Sequence, residues 1–132
     1  MWEHAPDPAF VARPRRDAKG APANGSDHNR GCAVDVGISA RGWGLGGLGG
    51  LRPLPMGSDF DDFTPAAHHS AAGIGVRERR NRALLRGIME RAGFAALEQE
   101  WWHYHDPQCC ARHPEVLDIP LERALEACSP QE

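Results

Sequence analysis

Three short segments of the chain hold residue types that bind a metal ion and move a proton beside it. They are Ser26-Asp27-His28-Asn29-Arg30-Gly31-Cys32-Ala33-Val34-Asp35, the acidic Phe60-Asp61-Asp62-Phe63, and Glu100-Trp101-Trp102-His103. Two histidines and a carboxylate, here His28, His103 and Asp35, make a normal three-ligand set for catalytic zinc, with a fourth position left for water or substrate. Ala33 and Gly37 flank Asp35 with small side chains and leave room for an ion and its other ligands. Glu100, three residues before His103, then serves as general base on the water that such a zinc activates. Singly, each of these residues fits an ordinary surface or core role; the combination carries the expectation.

The elements that must hold these residues follow from periodicity. Cys32 to Ile38 alternates, with Cys32, Val34, Val36 and Ile38 on one face and Ala33, Asp35 and Gly37 on the other, which predicts a half-buried strand. His28 falls in the turn before it. The aromatic content and length of Phe94 to Tyr104 predict a second strand. A regular strand would send Glu100 and His103 to opposite faces, so a bulge or a single helical turn is expected between them. Trp101 and Trp102 alternate, which places one in the core and the other at the pocket wall. Arg77 to Ala92 reads as an amphipathic helix, with Leu84, Leu85, Ile88, Met89 and Ala92 on one side. Its arginines, Arg77, Arg79, Arg80 and Arg82, form the solvated side, and Gly93 supplies the stop. Thr64-Pro65 looks like an N-cap followed by proline at the first helical position. On that helix the adjacent His68 and His69 point to different faces, which favours structural roles over ligation. The fold class expected is α+β, a small antiparallel sheet with packed helices.

Length and composition bound the rest. The 132 residues make one domain at most, and a net charge of −3 is too small and of the wrong sign for general nucleic-acid or anionic-membrane binding. Gly 15 and Pro 11 leave the chain short of a disordered composition. No stretch approaches the apolar length of a membrane span, and the N-terminus lacks a secretory pattern. Neither nucleic acid nor membrane is therefore expected as a partner. The cysteines, Cys32, Cys109, Cys110 and Cys128, match no secreted framework, so reduced thiols and a cytoplasmic setting are expected. A second zinc site from Cys109, Cys110, His105 and His113 fits no standard spacing. Residues 40–55 read as a low-complexity loop. Its Gly42-x-Gly44-x-x-Gly47 run lacks the following helix that a phosphate cradle needs. Residues 1–25 form an irregular lead, 26–122 the catalytic domain and 123–132 a tail.

In this order the segments Ser26 to Asp35, Met56 to Phe63, His68-His69, Asn81-Arg82, Gly93-Phe94 and Glu100 to Tyr104 resemble the D-alanyl-D-alanine dipeptidases of the vancomycin-resistance type. Pro114 and Val116 to Pro120 are similar to that family's closing segment. The resemblance implies a zinc peptidase fold related to D,D-carboxypeptidases, with one Zn2+ on His28, Asp35 and His103 and Glu100 as catalytic base. It also implies Ser26 and Asp61 around the substrate's amino terminus. The implied reaction is D-Ala-D-Ala plus water giving two D-alanines, in antibiotic resistance or dipeptide recycling. The family's Tyr-Arg-Pro motif, whose arginine stabilises the oxyanion, has no counterpart upstream of Ser26, since Arg13-Pro14 lies too close to the histidine motif. An N-terminal portion is therefore expected to be missing. That departure sets two alternatives beside the dipeptidase: a truncated, weakly active or inactive zinc-binding relic, and a D,D-carboxypeptidase or cell-wall endopeptidase.

Overall fold

The computed structural model describes residues 16–20, 25–41, 50–113 and 116. The expectations for Arg13-Pro14, the Gly42 to Gly47 run, Cys128, residues 117–122 and the 123–132 tail lie outside them. Within the described residues the chain is α+β. A 3-10 turn at Asp27–Arg30 leads into β1 (Ala33–Asp35), and β2 (Ser39–Arg41) and β3 (Leu51–Pro53) follow. Next come a 3-10 turn at Pro65–Ala67, α1 (Val76–Arg91), β4 (Ala95–Ala96), β5 (His103–His105) and α2 (Pro107–Arg112). One antiparallel sheet has the order β1-β5-β4, and β2 pairs with β3 in a separate hairpin.

Several local expectations hold. Thr64 caps the 3-10 turn by accepting from the Ala66 N–H, with Pro65 next in line. The long helix is α1, and Gly93 beyond its end takes the left-handed φ of 94° that favours glycine. The core joins Met56, Ala67, Leu85, Trp101, Trp102 and Tyr104, with Val36, Ile38, Leu54, Phe63, Met89, Phe94 and Ala96 packed against them.

Other expectations are corrected. Phe94 to Tyr104 is not one strand: β4 and β5 pair with each other, and residues 97–102 turn between them, carrying both tryptophans inward. Both Trp101 and Trp102 are buried, at 3% and 1% exposed. Trp101 does also line a cavity with Phe60, Ser58, Ile38 and Leu54. The strand over Cys32 to Ile38 contracts to three residues, with Val34 exposed, because only Ala33, Val34 and Asp35 find partners on β5. Residues 40–55 are not wholly loop, since both ends of that stretch pair as β2 and β3. The Thr64-Pro65 helix is a three-residue 3-10 turn, so His68 and His69 follow it rather than ride on it.

Two corrections bear on function. Arg82 does not lie on the solvated side of α1; it is 1% exposed, while Leu84 and Ile88 are 49% and 43% exposed. The thiols of Cys32 and Cys109 are not reduced but joined in a disulfide. The cause is register: Ala33 pairs with His105, so Cys32 lies beside Asp106, whose N–H donates to the Cys32 carbonyl at 2.8 Å. Asp106 also caps α2 through Gln108 and Cys109, which aims Cys109 back at Cys32. Cys110 remains a free thiol.

Candidate metal centre

The sheet register builds the centre. Asp35 on β1 is the direct partner of His103 on β5, so their side chains stand together on one face. His28 arrives from the 3-10 turn before β1. Asn29 ties that turn down, its side-chain oxygen accepting from the Ser26 N–H at 3.0 Å and from the Ser26 hydroxyl at 3.2 Å. Gly31, at φ 70°, then reverses the chain into the strand.

Three ligand atoms meet. His28 Nε2 lies 2.9 Å from His103 Nδ1 and 3.2 Å from Asp35 Oδ1, and His103 Nδ1 lies 3.4 Å from the same carboxylate oxygen. A triangle of these sides has a circumradius of about 1.8 Å, just inside the roughly 2.0–2.1 Å that zinc keeps from nitrogen and oxygen ligands. The donor set therefore fits a metal ion, and His28, Asp35 and His103 form a group that could hold one. Burial, aided by the nearby His28, holds His103 below the usual histidine pKa and favours the neutral imidazole that ligation requires.

Glu100 stands at the edge of this group, its Oε2 3.8 Å from His103 Nδ1. The expected break in the strand is present: the His103 N–H donates to the Glu100 carbonyl at 3.2 Å, closing a turn that brings both side chains to the same side. Burial first, then the charges of Asp35 and Asp61, push the Glu100 carboxyl up to about 7. Asp61 is thus close enough to act electrostatically on the centre, and it has a left-handed φ of 56°. Ser26 is exposed, and its hydroxyl is engaged with Asn29.

Two features escaped the sequence reading. Asp27, His103 and His105 form a second group of potential ligands, sharing His103 with the first. Arg30 Nη1 already donates to Asp27 at 2.8 Å, which offsets the negative charge a cation would seek there. The set of His105, His113, Cys109 and Cys110 is not assembled, since Cys109 is consumed by the disulfide. Arg82 had a signal in its spacing: with Leu85 and Met89 it falls at i, i+3 and i+7, on the helix side that turns inward.

Comparison with known proteins gives the geometry its context. The sequence model described as D-ala-D-ala dipeptidase matches residues 1–119. A D-alanyl-D-alanine dipeptidase of Enterococcus faecium is 40% identical over 94 residues, 71% of this chain and 43% of that protein. The one from Escherichia coli K12 is 31% identical over 118 residues, 89% of this chain and 52% of the relative. That of Streptomyces coelicolor is 37% identical over 115 residues, 84% of this chain and 51% of the relative. The chain spans about half the length of the curated relatives it matches.

Proposed function

The chain belongs to the D-Ala-D-Ala dipeptidase family, and on that premise we propose that it hydrolyses D-Ala-D-Ala to two D-alanines in a zinc-dependent reaction. The observation that carries this reading is the convergence of His28 Nε2, Asp35 Oδ1 and His103 Nδ1 beside the Glu100 carboxylate. Zinc, which those three residues would hold, would polarise the scissile carbonyl and lower the pKa of the attacking water.

Glu100 takes the proton from that water as it adds to the carbonyl carbon. It hands the proton to the amine as the C–N bond breaks, so one water is consumed and two amino acids leave. Burial and the charges of Asp35 and Asp61 raise this carboxyl to about 7 in the metal-free site, which favours its taking and returning a proton, and the charge of bound zinc would lower it from there. Asp61 receives the substrate's ammonium in a charge-assisted hydrogen bond, which favours a free dipeptide over an internal peptide bond. For Ser26 to join it there, its hydroxyl must leave Asn29.

Among the described residues no helix is long and apolar enough to cross a membrane. A cytoplasm keeps thiols reduced, so the bonded pair Cys32 and Cys109 supports an oxidising setting rather than the cytoplasmic one. A second reading, a zinc-binding chain with little turnover, shares the same donor set and differs only in hydrolysis.

Zinc-loaded protein incubated separately with D-Ala-D-Ala and with its amino-acetylated form is expected to release D-alanine from the free dipeptide only. Cleavage of the blocked substrate alone rejects the dipeptidase in favour of a D,D-carboxypeptidase. Zinc retained with no D-alanine released at high protein concentration supports the second reading.

A further inference from the structure

Arg82 is among the most deeply buried side chains described, and its partners are all main-chain carbonyls. Its Nε donates to Met56 at 2.6 Å, Nη2 to Ala66 at 2.8 Å and Nη1 to His68 at 2.5 Å. Met56 lies just before, and Ala66 just after, the segment 57–65 that carries Asp61. One planar guanidinium therefore clamps the two ends of that segment together. Asn81, its neighbour on α1, holds the Pro55 carbonyl at 2.7 Å. Burying a guanidinium is costly, and a rigid fork of donors is what lets three carbonyls be held in one geometry.

Asp61 sits at φ 56°, a conformation that costs a non-glycine residue free energy and persists only where the surroundings over-determine it. On the far side, Trp101 donates its indole N–H to Ser58 Oγ at 2.9 Å and its main-chain N–H to the Ala67 carbonyl at 3.1 Å. The residue before Trp101 is Glu100. Arg82 and Trp101 thus fix the Asp61 segment against the turn that presents the base. Arg82 also lies over the Trp101 ring, its guanidinium carbon 5.9 Å from the centroid.

We propose that Arg82, assisted by Asn81, is a positioning residue that clamps the 57–65 segment so that Asp61 is held against the turn that presents Glu100, and thereby sets the preference for a substrate bearing a free ammonium. This rests on the dipeptidase reading of the same site. Arg82 touches neither substrate nor metal ligand; it acts through Asp61. Lysine at this position keeps the charge but gathers its donors on one nitrogen, without the planar fork that reaches Met56, Ala66 and His68 from three.

The test compares the zinc-loaded full chain with its Arg82→Lys and Asn81→Ala variants. KM and kcat are measured for D-Ala-D-Ala, and the inhibition constant for N-propionyl-D-alanine, which keeps the rest of the dipeptide but lacks the ammonium. Where turnover is absent, dissociation constants from calorimetry replace KM. The expected result for Arg82→Lys is retained zinc, about a tenfold rise in KM for the dipeptide, the scale of one charge-assisted hydrogen bond, and an unchanged inhibition constant for the propionyl compound. Asn81→Ala should move the same ratio in the same direction by less, and it decides the matter if Arg82→Lys fails to fold cooperatively. Parallel weakening of both ligands, or of neither, overturns the inference and leaves Arg82 a packing residue. An unaltered chain that does not distinguish the two ligands overturns the dipeptidase reading itself, and this inference with it.

Discussion

Glu100 and its neighbours separate two jobs that a single carboxylate cannot do at once, holding the metal and moving the proton. Asp35 shares one oxygen between both imidazoles, whereas Glu100 sits farther out, 3.8 Å from His103. Replacing Glu100 with alanine should therefore leave zinc content unchanged and cut turnover by about 100-fold to 10,000-fold, the usual worth of a general base. His28→Ala and His103→Ala should instead empty the site, as metal analysis after dialysis will show. An emptied site in Glu100→Ala would mean that ligand and base have been exchanged in this assignment. The pH dependence follows from the same geometry. Burial, then Asp35 and Asp61, raise the Glu100 carboxyl to about 7, and the base acts only as carboxylate. Activity should thus fall on the acid side, at a pH below the value of about 7 that burial, Asp35 and Asp61 give the metal-free site, because the charge of bound zinc would favour the carboxylate. Asp61→Asn removes one of the charges that raise this value, so the acid limb of kcat/KM should move to lower pH; a limb that stays in place would show that Asp61 does not act on Glu100.

At the scale of elements, what was legible depended on whether a residue's neighbours in sequence are also its neighbours in space. The donor set was legible because His28 precedes and Asp35 ends one short strand while Glu100 and His103 close one turn, so spacing stated the geometric problem that the turn solves. Helix α1 was legible from its period, but its rotation was misjudged: Leu84 and Ile88 face outward while Arg82 goes in with Leu85 and Met89, because the carbonyls of Met56, Ala66 and His68 await the guanidinium at the edge of the apolar core. The hairpin of β4 and β5 was read as one strand because aromatic content signals burial without saying whether a strand or a turn provides it. The acidic segment itself depends on Gly57, whose φ is 90° and whose added Cβ would lie 2.6 Å from Ile74 Cγ2. Gly57→Ala should therefore cost roughly 1–3 kcal/mol, from backbone strain and the clash together. The check is a lower denaturation midpoint in a variant that still retains zinc, since none of the ligands lies on that segment.

For the molecule as a whole, the buried core described is small, with six clustered residues at its centre. The ligand-bearing strands are short, three residues each for β1 and β5, so pairing alone gives them few bonds. The disulfide between Cys32 and Cys109 adds a covalent link at the same place, joining the start of β1 to the helix that follows β5. It could not be read from spacing, because the two cysteines are 77 residues apart and only the register of β1 on β5 brings their Cα atoms to 5.5 Å. Closing a loop of that length restricts the unfolded chain, and in the loop-entropy account stabilises the fold by about 4.5 kcal/mol. Cys32→Ser combined with Cys109→Ser should lose stability on that scale in denaturant titration. The unaltered protein treated with a dithiol reductant should match the double variant, since both lack the same link. If the two midpoints coincide with that of the untreated protein, the loop entropy is offset by structure already present in the unfolded chain. If they fall together and zinc is released at lower denaturant than before, the link also holds His28 and Asp35 in register with His103.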